Sequence, residues 1–443
     1  MKMLKFRREP QALLIVATLA IFTMITASCG EPGLSNGNGL GNVDGTEPSS
    51  PEPEPGLTGG DPGDEENTLS TDRHVSCDSE NVVREAPADA TEYIREGLTR
   101  YAELVAPNGQ VIKIFGAPET GDERIRRARS LLLFFLQDVS GSQFGANKSE
   151  VANRMALNRA VLVMPPGEHV EGSEPQVDAQ PLYAHETPVE GSAWYMQNNY
   201  DHRDAAFEEI FHLVHDTGIG TYLPGALPEY QARLVEEAEA SLLDGRWGIS
   251  VDPFVSEWIE ELRQEDSLAQ EYIASVLDSY YGLWAPWDEA EGGMWGVYIA
   301  KTRAEVADKD PQGYALLEAF LPKWLNYEVH LAAELEGDFH MTLDPSKPYT
   351  HKSQYLVDVT LTGSNASNLF ANGQDNTLKG NSADNIIDGK AGKDTVVYCQ
   401  ARSAYNVSQA DGKMIVEGPN GRDVLKDIEV IHFADGAVLA DDL

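Results

Sequence analysis

The residues best suited to chemistry lie in one stretch, Phe207-Glu208-Glu209-Ile210-Phe211-His212-Leu213-Val214-His215-Asp216-Thr217-Gly218. On an α-helix, Glu208 and His212 are four apart and share a face. A carboxylate and an imidazole so placed can ligate one divalent ion. Glu209 lies one step round, where its carboxylate can take a proton from water. His215 falls three residues beyond His212 on roughly the same face, so it is an alternative ligand. Ile210, Phe211, Leu213 and Val214 supply an apolar surround. A plainer account is an amphipathic helix, with two histidines near the surface. Glu208 and Glu209 would then sit in the first turns because the helix dipole favours anions there.

The helix resembles the zinc-peptidase motif H-E-x-x-H with its first His replaced by Glu208. Further on, Glu271-Tyr272-Ile273-Ala274 resembles the glutamate helix of zincin-like peptidases of the anthrax lethal-factor type. The resemblance implies an α+β, mostly helical domain of that kind over residues 78–352. It implies Glu208, His212 and Glu271 as metal ligands, Glu209 as the base, Zn²⁺ or Mn²⁺ as the ion, and a protein or peptide substrate. Two carboxylates beside one imidazole would acidify bound water less than histidines do. They also shift preference toward Mn or Mg. A fold kept with its chemistry lost is the competing expectation: a calcium-stabilised adhesin or binding module. Two other motifs fail. Glu209 and His212 form a di-iron-type Glu-x-x-His pair, but Glu328 and His330 are only two apart and supply no second pair. Asp216-Thr217-Gly218 spells an aspartic-peptidase triplet, but a helix C-cap explains it better, and no second copy exists.

The elements that must position these residues are read from periodicity. Helices are expected over Tyr93–Val105, Asp122–Gln137, Asp204–Thr217 (closed by Gly218 as C-cap), Leu227–Leu243, Phe254–Arg263, and Tyr314–Leu335 with a break at Pro322. Strands are expected at Val111–Phe115, Ala160–Met164 and Ser192–Met196. Trp284, Trp287 and Trp295 cluster around Gly292-Gly293, as core packing or as a substrate groove.

From Leu361 the chain changes character. Glycines and Asp or Asn recur about every nine residues, as in Gly373-Gln374-Asp375-Asn376, Gly380-Asn381-Ser382-Ala383-Asp384-Asn385 and Gly389-Lys390-Ala391-Gly392-Lys393-Asp394. Apolar Leu369, Leu378, Ile386 and Val396 follow them. This resembles the RTX (hemolysin-type) calcium repeat, with Ser382 and Lys390 in place of glycines. The resemblance implies a small parallel β-roll and β cap over 353–443. It implies Ca²⁺ held by Asp375, Asn376, Gly380, Asn381, Asp384, Asn385, Asp388, Gly389, Gly392 and Asp394. Such turns need glycine, and hard oxygen donors suit calcium.

Lys2, Lys5, Arg7 and Arg8 precede an apolar run, Leu13–Ile25, of signal-peptide length. Ala27-Ser28-Cys29 resembles a bacterial lipobox, which implies a signal over 1–28 and lipidation at Cys29. An ordinary secretory signal is the alternative. Residues 29–77 read as an acidic, Pro- and Gly-rich tether that cannot offset its chain entropy by burial. The expected location is outside the cell: lipid-anchored at the outer membrane or surface, or secreted. Cys77 and Cys399 either pair or stay free. Acidic residues outnumber basic ones 72 to 33, for a net charge of −39. That excludes nucleic acid as a partner and leaves the N-terminal lipid as the only expected membrane contact.

Overall fold

A computed structural model describes Cys77 and residues 82–442, apart from residues 171, 200–202, 222, 250–252 and 289. The expected signal, Cys29 and the rest of the tether lie outside the described residues. Among those described, no helix is long and apolar enough to cross a membrane. The expected α+β class holds: helices surround a five-stranded sheet, and two further sheets follow.

The first sheet has the order β1 (Arg84–Glu85), β2 (Arg100–Val105), β3 (Val111–Gly116), β4 (Val161–Met164), β5 (Gln180–Pro181). The first three pair antiparallel, and β4 and β5 add on parallel. Only Thr91–Arg95 (α1) is helical in the segment expected as a helix over Tyr93–Val105. Gly97, at φ 79°, ends the helix, and Arg100–Val105 then pairs residue by residue with β3. One face of the sheet turns Ala102, Ile112, Ile114 and Leu162 to the main core. The other holds Tyr101, Phe115 and Val163 with Tyr93. β4, covered on both faces, is buried throughout.

Helix α2 (Asp122–Leu136) buries Ile125, Ala128, Leu131, Leu132 and Phe135 at helical spacing. It is followed by α3 (Ser149–Leu157) and the short α4 (Ala193–Met196). The strand expected at Ser192–Met196 is therefore a helical turn. Gly191, at φ 78°, turns the chain, and Met196 N donates back to Ser192 O at 2.9 Å. Next come α5 (Ala206–Val214), α6 (Pro228–Leu243), α7 (Pro253–Gln264) and α8 (Leu268–Tyr280). α5 does not end at a Gly218 cap. It widens into a π-helical turn over His215–Gly220, with Gly218 inside it. A Cβ at Gly218 would meet Val151 and Met155 side-chain atoms at 2.8 Å, so close packing on α3 explains that glycine.

After α9 (Arg303–Lys309) and α10 (Pro311–Glu318), the helix expected to reach Leu335 gives way to strand β6 (Leu325–His330). Leu325, Tyr327 and Val329 alternate inward there, a period of two rather than 3.6. From β6 the chain alternates between two sheets: β7 (Gly337–His340), β8 (Leu356–Thr360), β9 (Ser367–Phe370), β10 (Thr377–Lys379), β11 (Ile386–Asp388) and β12 (Thr395–Val397). β13 (Asn406–Ala410), β14 (Lys413–Gly418) and β15 (Gly421–Lys426) form an antiparallel meander, and β16 (Val430–Phe433) with β17 (Gly436–Leu439) closes the other sheet. β6 to β12 pair parallel within each sheet. Val329, Val359, Leu378, Val396 and Ile431 stack in register inside one sheet. Phe339, Leu369, Ile387 and Leu425 do so inside the other. The inward residue of the third repeat is thus Ile387, fully buried, and not the expected Ile386, which is 43% exposed. Cys77 and Cys399 form a disulfide that ties the start of the described chain to this coil.

Candidate metal centre

Three elements converge on His212. α5 supplies Glu208, Glu209 and His212, α8 supplies Glu271, and the edge strand β5 supplies Gln180. α5 and α8 are buried all round, so their polar side chains meet each other rather than water. One ligand atom from each of Glu208, His212 and Glu271 lies within 4.8 Å of the others. His212 Nε2 is 3.7 Å from Glu271 Oε1, and its Nδ1 is 3.6 Å from Glu209 Oε2. These separations are too long for hydrogen bonds. Both His212 ring nitrogens, Glu208 Oε1 and both Glu271 carboxylate oxygens have no hydrogen-bond partner. Leaving that many buried polar atoms unpaired at one point is costly. A shared cation would satisfy one ring nitrogen and the carboxylate oxygens, and one nitrogen with carboxylate oxygens suits zinc or manganese. The residues present fit a divalent ion.

Glu209 has its own support. Gln180 Nε2 donates to its Oε2 at 2.6 Å. Arg203 pairs with Glu208, and its Nη2 is 3.5 Å from Glu209 Oε1. The guanidinium also lies 5.3 Å from the Trp295 ring centroid. Trp295 itself stands at φ 50°, an uncommon conformation for a bulky residue. Trp284, Trp287 and Trp295 are all buried and pack on one another, so they serve the core.

The charges do not balance. Glu186, Glu208, Glu209, Asp216, Glu271 and Asp278 surround one guanidinium, Arg203, and one imidazole, His212. Burial pushes Glu186 up to about 7 and Glu271 up to about 8. Burial also raises Glu208, Asp216 and Asp278. Burial works against the charge on Glu209, but His212 and Arg203 hold it below the usual carboxylate range. Burial likewise opposes a charged His212, yet Glu271 and Glu209 outweigh it and lift the imidazole to about 10.

His215 is not part of this group. The wider π turn begins at His215, and its Nε2 lies 2.5 Å from Gln231 Oε1 on α6. Burial pushes it down to about 4. Arg203, Glu186, Gln180 and Asp278 were not singled out from sequence. Asp278 had a usable signal, since it lies seven residues after Glu271 and so on one face of α8. Glu186 and Arg203 carry no local pattern.

The repeat residues occupy the turns and inner edges of the coil. Asn376, Asn385 and Asp394 are buried at nine-residue intervals. Asn376 N donates to Asp394 Oδ1 at 2.8 Å, and Asn385 Nδ2 donates to Ser367 O at 2.8 Å. Asn381 Nδ2 bonds to Thr362 O at 3.2 Å. Asp375 and Asp384 accept backbone N–H groups from Lys393 and Arg422, each at 2.8 Å. Asp388 is held by Lys390 at 2.8 Å and Lys426 at 3.1 Å. Lys390 adopts φ 69°, as its place in the glycine pattern requires. At Gly380, Gly389 and Gly392 a Cβ would strike Asn385, Asp427 and Gln374 respectively. Asn376 Oδ1 and Thr377 Oγ1 are buried acceptors without a hydrogen-bond partner, which is compatible with a hard cation nearby. Among the described residues, no three acidic, His or Cys side chains of the coil converge as they do around His212.

No protein-family model matches this chain, and no curated protein matches it.

Proposed function

We propose that the helical region is a metal-dependent peptidase of zincin-like kind, carried on an exported, lipid-anchored chain whose coil is a calcium-binding β-roll. The observation that carries this is the convergence of Glu208, His212 and Glu271 with their buried, unpaired ligand atoms. Zn²⁺ or Mn²⁺ held there supplies Lewis acidity toward water and a peptide carbonyl. Glu209, kept ionised by His212 and Arg203, takes the proton from the attacking water and delivers it to the leaving amine. Gln180 fixes the Glu209 carboxylate for that transfer. The nine-residue ladder and its buried acceptor oxygens support calcium in the coil.

One observation favours a second reading. Arg203 already pairs with Glu208, so a guanidinium supplies part of the positive charge that a metal would bring. On that reading the centre is inactive and the protein is a calcium-stabilised binding module. Metal content decides between them. The purified chain, loaded with Zn²⁺, Mn²⁺ and Ca²⁺, should keep one transition metal that His212→Ala loses. Glu209→Gln should keep the metal and lose cleavage of a denatured protein substrate. Calcium alone, unchanged by His212→Ala, would put the inactive module first.

A further inference from the structure

A cavity of about 950 Å³ lies away from the metal centre, on the outer side of α2. That is the size of a small-molecule pocket. Arg126 and Arg129 line it, one helical turn apart on the same face. Arg127, between them, points the other way, into the protein, toward Glu190 and Asp204. Leu104, Leu133 and Phe134 give the cavity an apolar wall.

The charge state of this cavity is odd for the chain that makes it. Acidic residues outnumber basic ones 72 to 33. Yet among the described residues neither Arg126 nor Arg129 has a carboxylate within 4.0 Å. Arg129 Nε donates only to the backbone oxygen of Glu103, at 3.1 Å. Arg126 Nε is buried without a hydrogen-bond partner. Three carboxylates also line the cavity, and none lies within 4.0 Å of a guanidinium nitrogen of Arg126 or Arg129. Glu103 pairs with Arg84 at 2.7 Å, Asp138 accepts the Lys148 backbone N–H at 2.7 Å, and Glu328 lies 3.3 Å from His330 Nε2. Two part-buried guanidiniums therefore face an apolar-walled space with no carboxylate within ion-pair distance, although the Glu103 charge also acts on Arg129. A guanidinium cannot shed its charge, and its planar fork matches a carboxylate.

We propose that this cavity binds a small amphipathic anion of the fatty-carboxylate type, its headgroup on Arg126 and Arg129 and its chain along Leu104, Leu133 and Phe134. The site is independent of the metal centre. Leu133 is 43% exposed and Val105 67% exposed, so the apolar wall opens at the surface, where such a chain can enter.

Calorimetric titration of the full chain tests this with four probes: octanoate, octanol, octylamine and inorganic phosphate. One octanoate should bind per chain. Octanol and octylamine should bind at least tenfold more weakly, since they lack the charge or reverse it. Inorganic phosphate should also bind at least tenfold more weakly, since it lacks the apolar body. R126Q/R129Q should lose octanoate affinity at least tenfold while melting no lower than wild type, because it removes two unpaired like charges. Leu133→Asp, at a half-open position, should lose octanoate affinity comparably with both arginines intact. Octanol binding as well as octanoate, undiminished binding in the double variant, or no octanoate binding up to millimolar concentration would each overturn the proposal. Phosphate matching octanoate would overturn it in favour of a simple oxyanion site.

Discussion

Arg203 and Asp204 are neighbours in the chain and enter different buried networks. Asp204 joins Arg127, Glu190 and Lys352. There Arg127 donates to Glu190 at 2.8 and 2.9 Å and to Asp204 at 2.6 and 3.1 Å. Lys352 Nζ donates to Glu190 at 2.8 Å and to the Tyr195 hydroxyl at 2.9 Å, and the Tyr327 hydroxyl donates to Glu190 at 2.8 Å. Two cations meet two anions. Arg203 joins the other network, where it and His212 face six carboxylates. Both networks lie among the same packed helices, so burial alone does not distinguish them. The first is complete by itself and acts as a brace. The second is short of positive charge and of hydrogen-bond partners, the state expected of a site that takes a cation.

The sharpest way to break this contrast is to remove a cation from the balanced side. Arg127→Met leaves Glu190 and Asp204 short of a partner in the core. It should cost about 3–5 kcal/mol in urea unfolding. Glu208→Gln, which removes one surplus charge from the other network, should leave the metal-free protein no less stable than wild type. If Arg127→Met were nearly neutral, or Glu208→Gln as damaging as Arg127→Met, the two networks would not differ in kind.

The apolar positions of the coil give the scale for pure packing. Ile387 is fully buried and Ile386 is 43% exposed. Ile387→Ala should cost about 2–5 kcal/mol, and Ile386→Ala about 0.5 kcal/mol or less. Equal losses would mean that the register of this turn is shifted. That register is legible in the sequence, because Leu369, Leu378, Ile387 and Val396 are spaced strictly by nine, an interval that Ile386 breaks. The triad of Glu208, His212 and Glu271 was legible for a similar reason, since helical spacing is local and the Glu271 segment carries its own motif. The partners that set its charge were not. Arg203 reaches the cluster from outside any helix or strand and Glu186 from the short 3-10 turn Ala184–Glu186, and only tertiary packing brings them there. The misread elements share one cause. Arg100–Val105 and Leu325–His330 are short apolar runs whose period is ambiguous. Pairing with strands at Val111 and Leu356, which no local window contains, decides them.

The gentlest test leaves every residue in place and changes only pH. Burial opposes the charge of Glu190, but Arg127 and Lys352 overcome it and hold the group at about 2, below its ordinary value of 4.5. Its contribution is present above 4.5 and lost only as pH falls toward 2, so Glu190 adds no pH dependence between 5 and 8. The other network has the opposite sign. Burial lifts Glu186 to about 7 and Glu271 to about 8, from ordinary values of 4.5. Between those values the folded chain keeps protons that the unfolded chain releases, so stability falls as pH rises, by about 1.4 kcal/mol per pH unit for each such group. His212 acts in the same direction. Raised to about 10 from 6.5, its contribution is complete below 6.5 and lost as pH climbs through 10. Protein treated with 1,10-phenanthroline, with calcium kept in excess, should therefore lose stability from pH 5 to 8 in urea titrations. Protein loaded with zinc should lose much less, because the ion replaces the protons and binds more tightly as pH rises. A flat profile without zinc would show that the carboxylates around His212 are already neutralised, and the case for a cation there would fall with it.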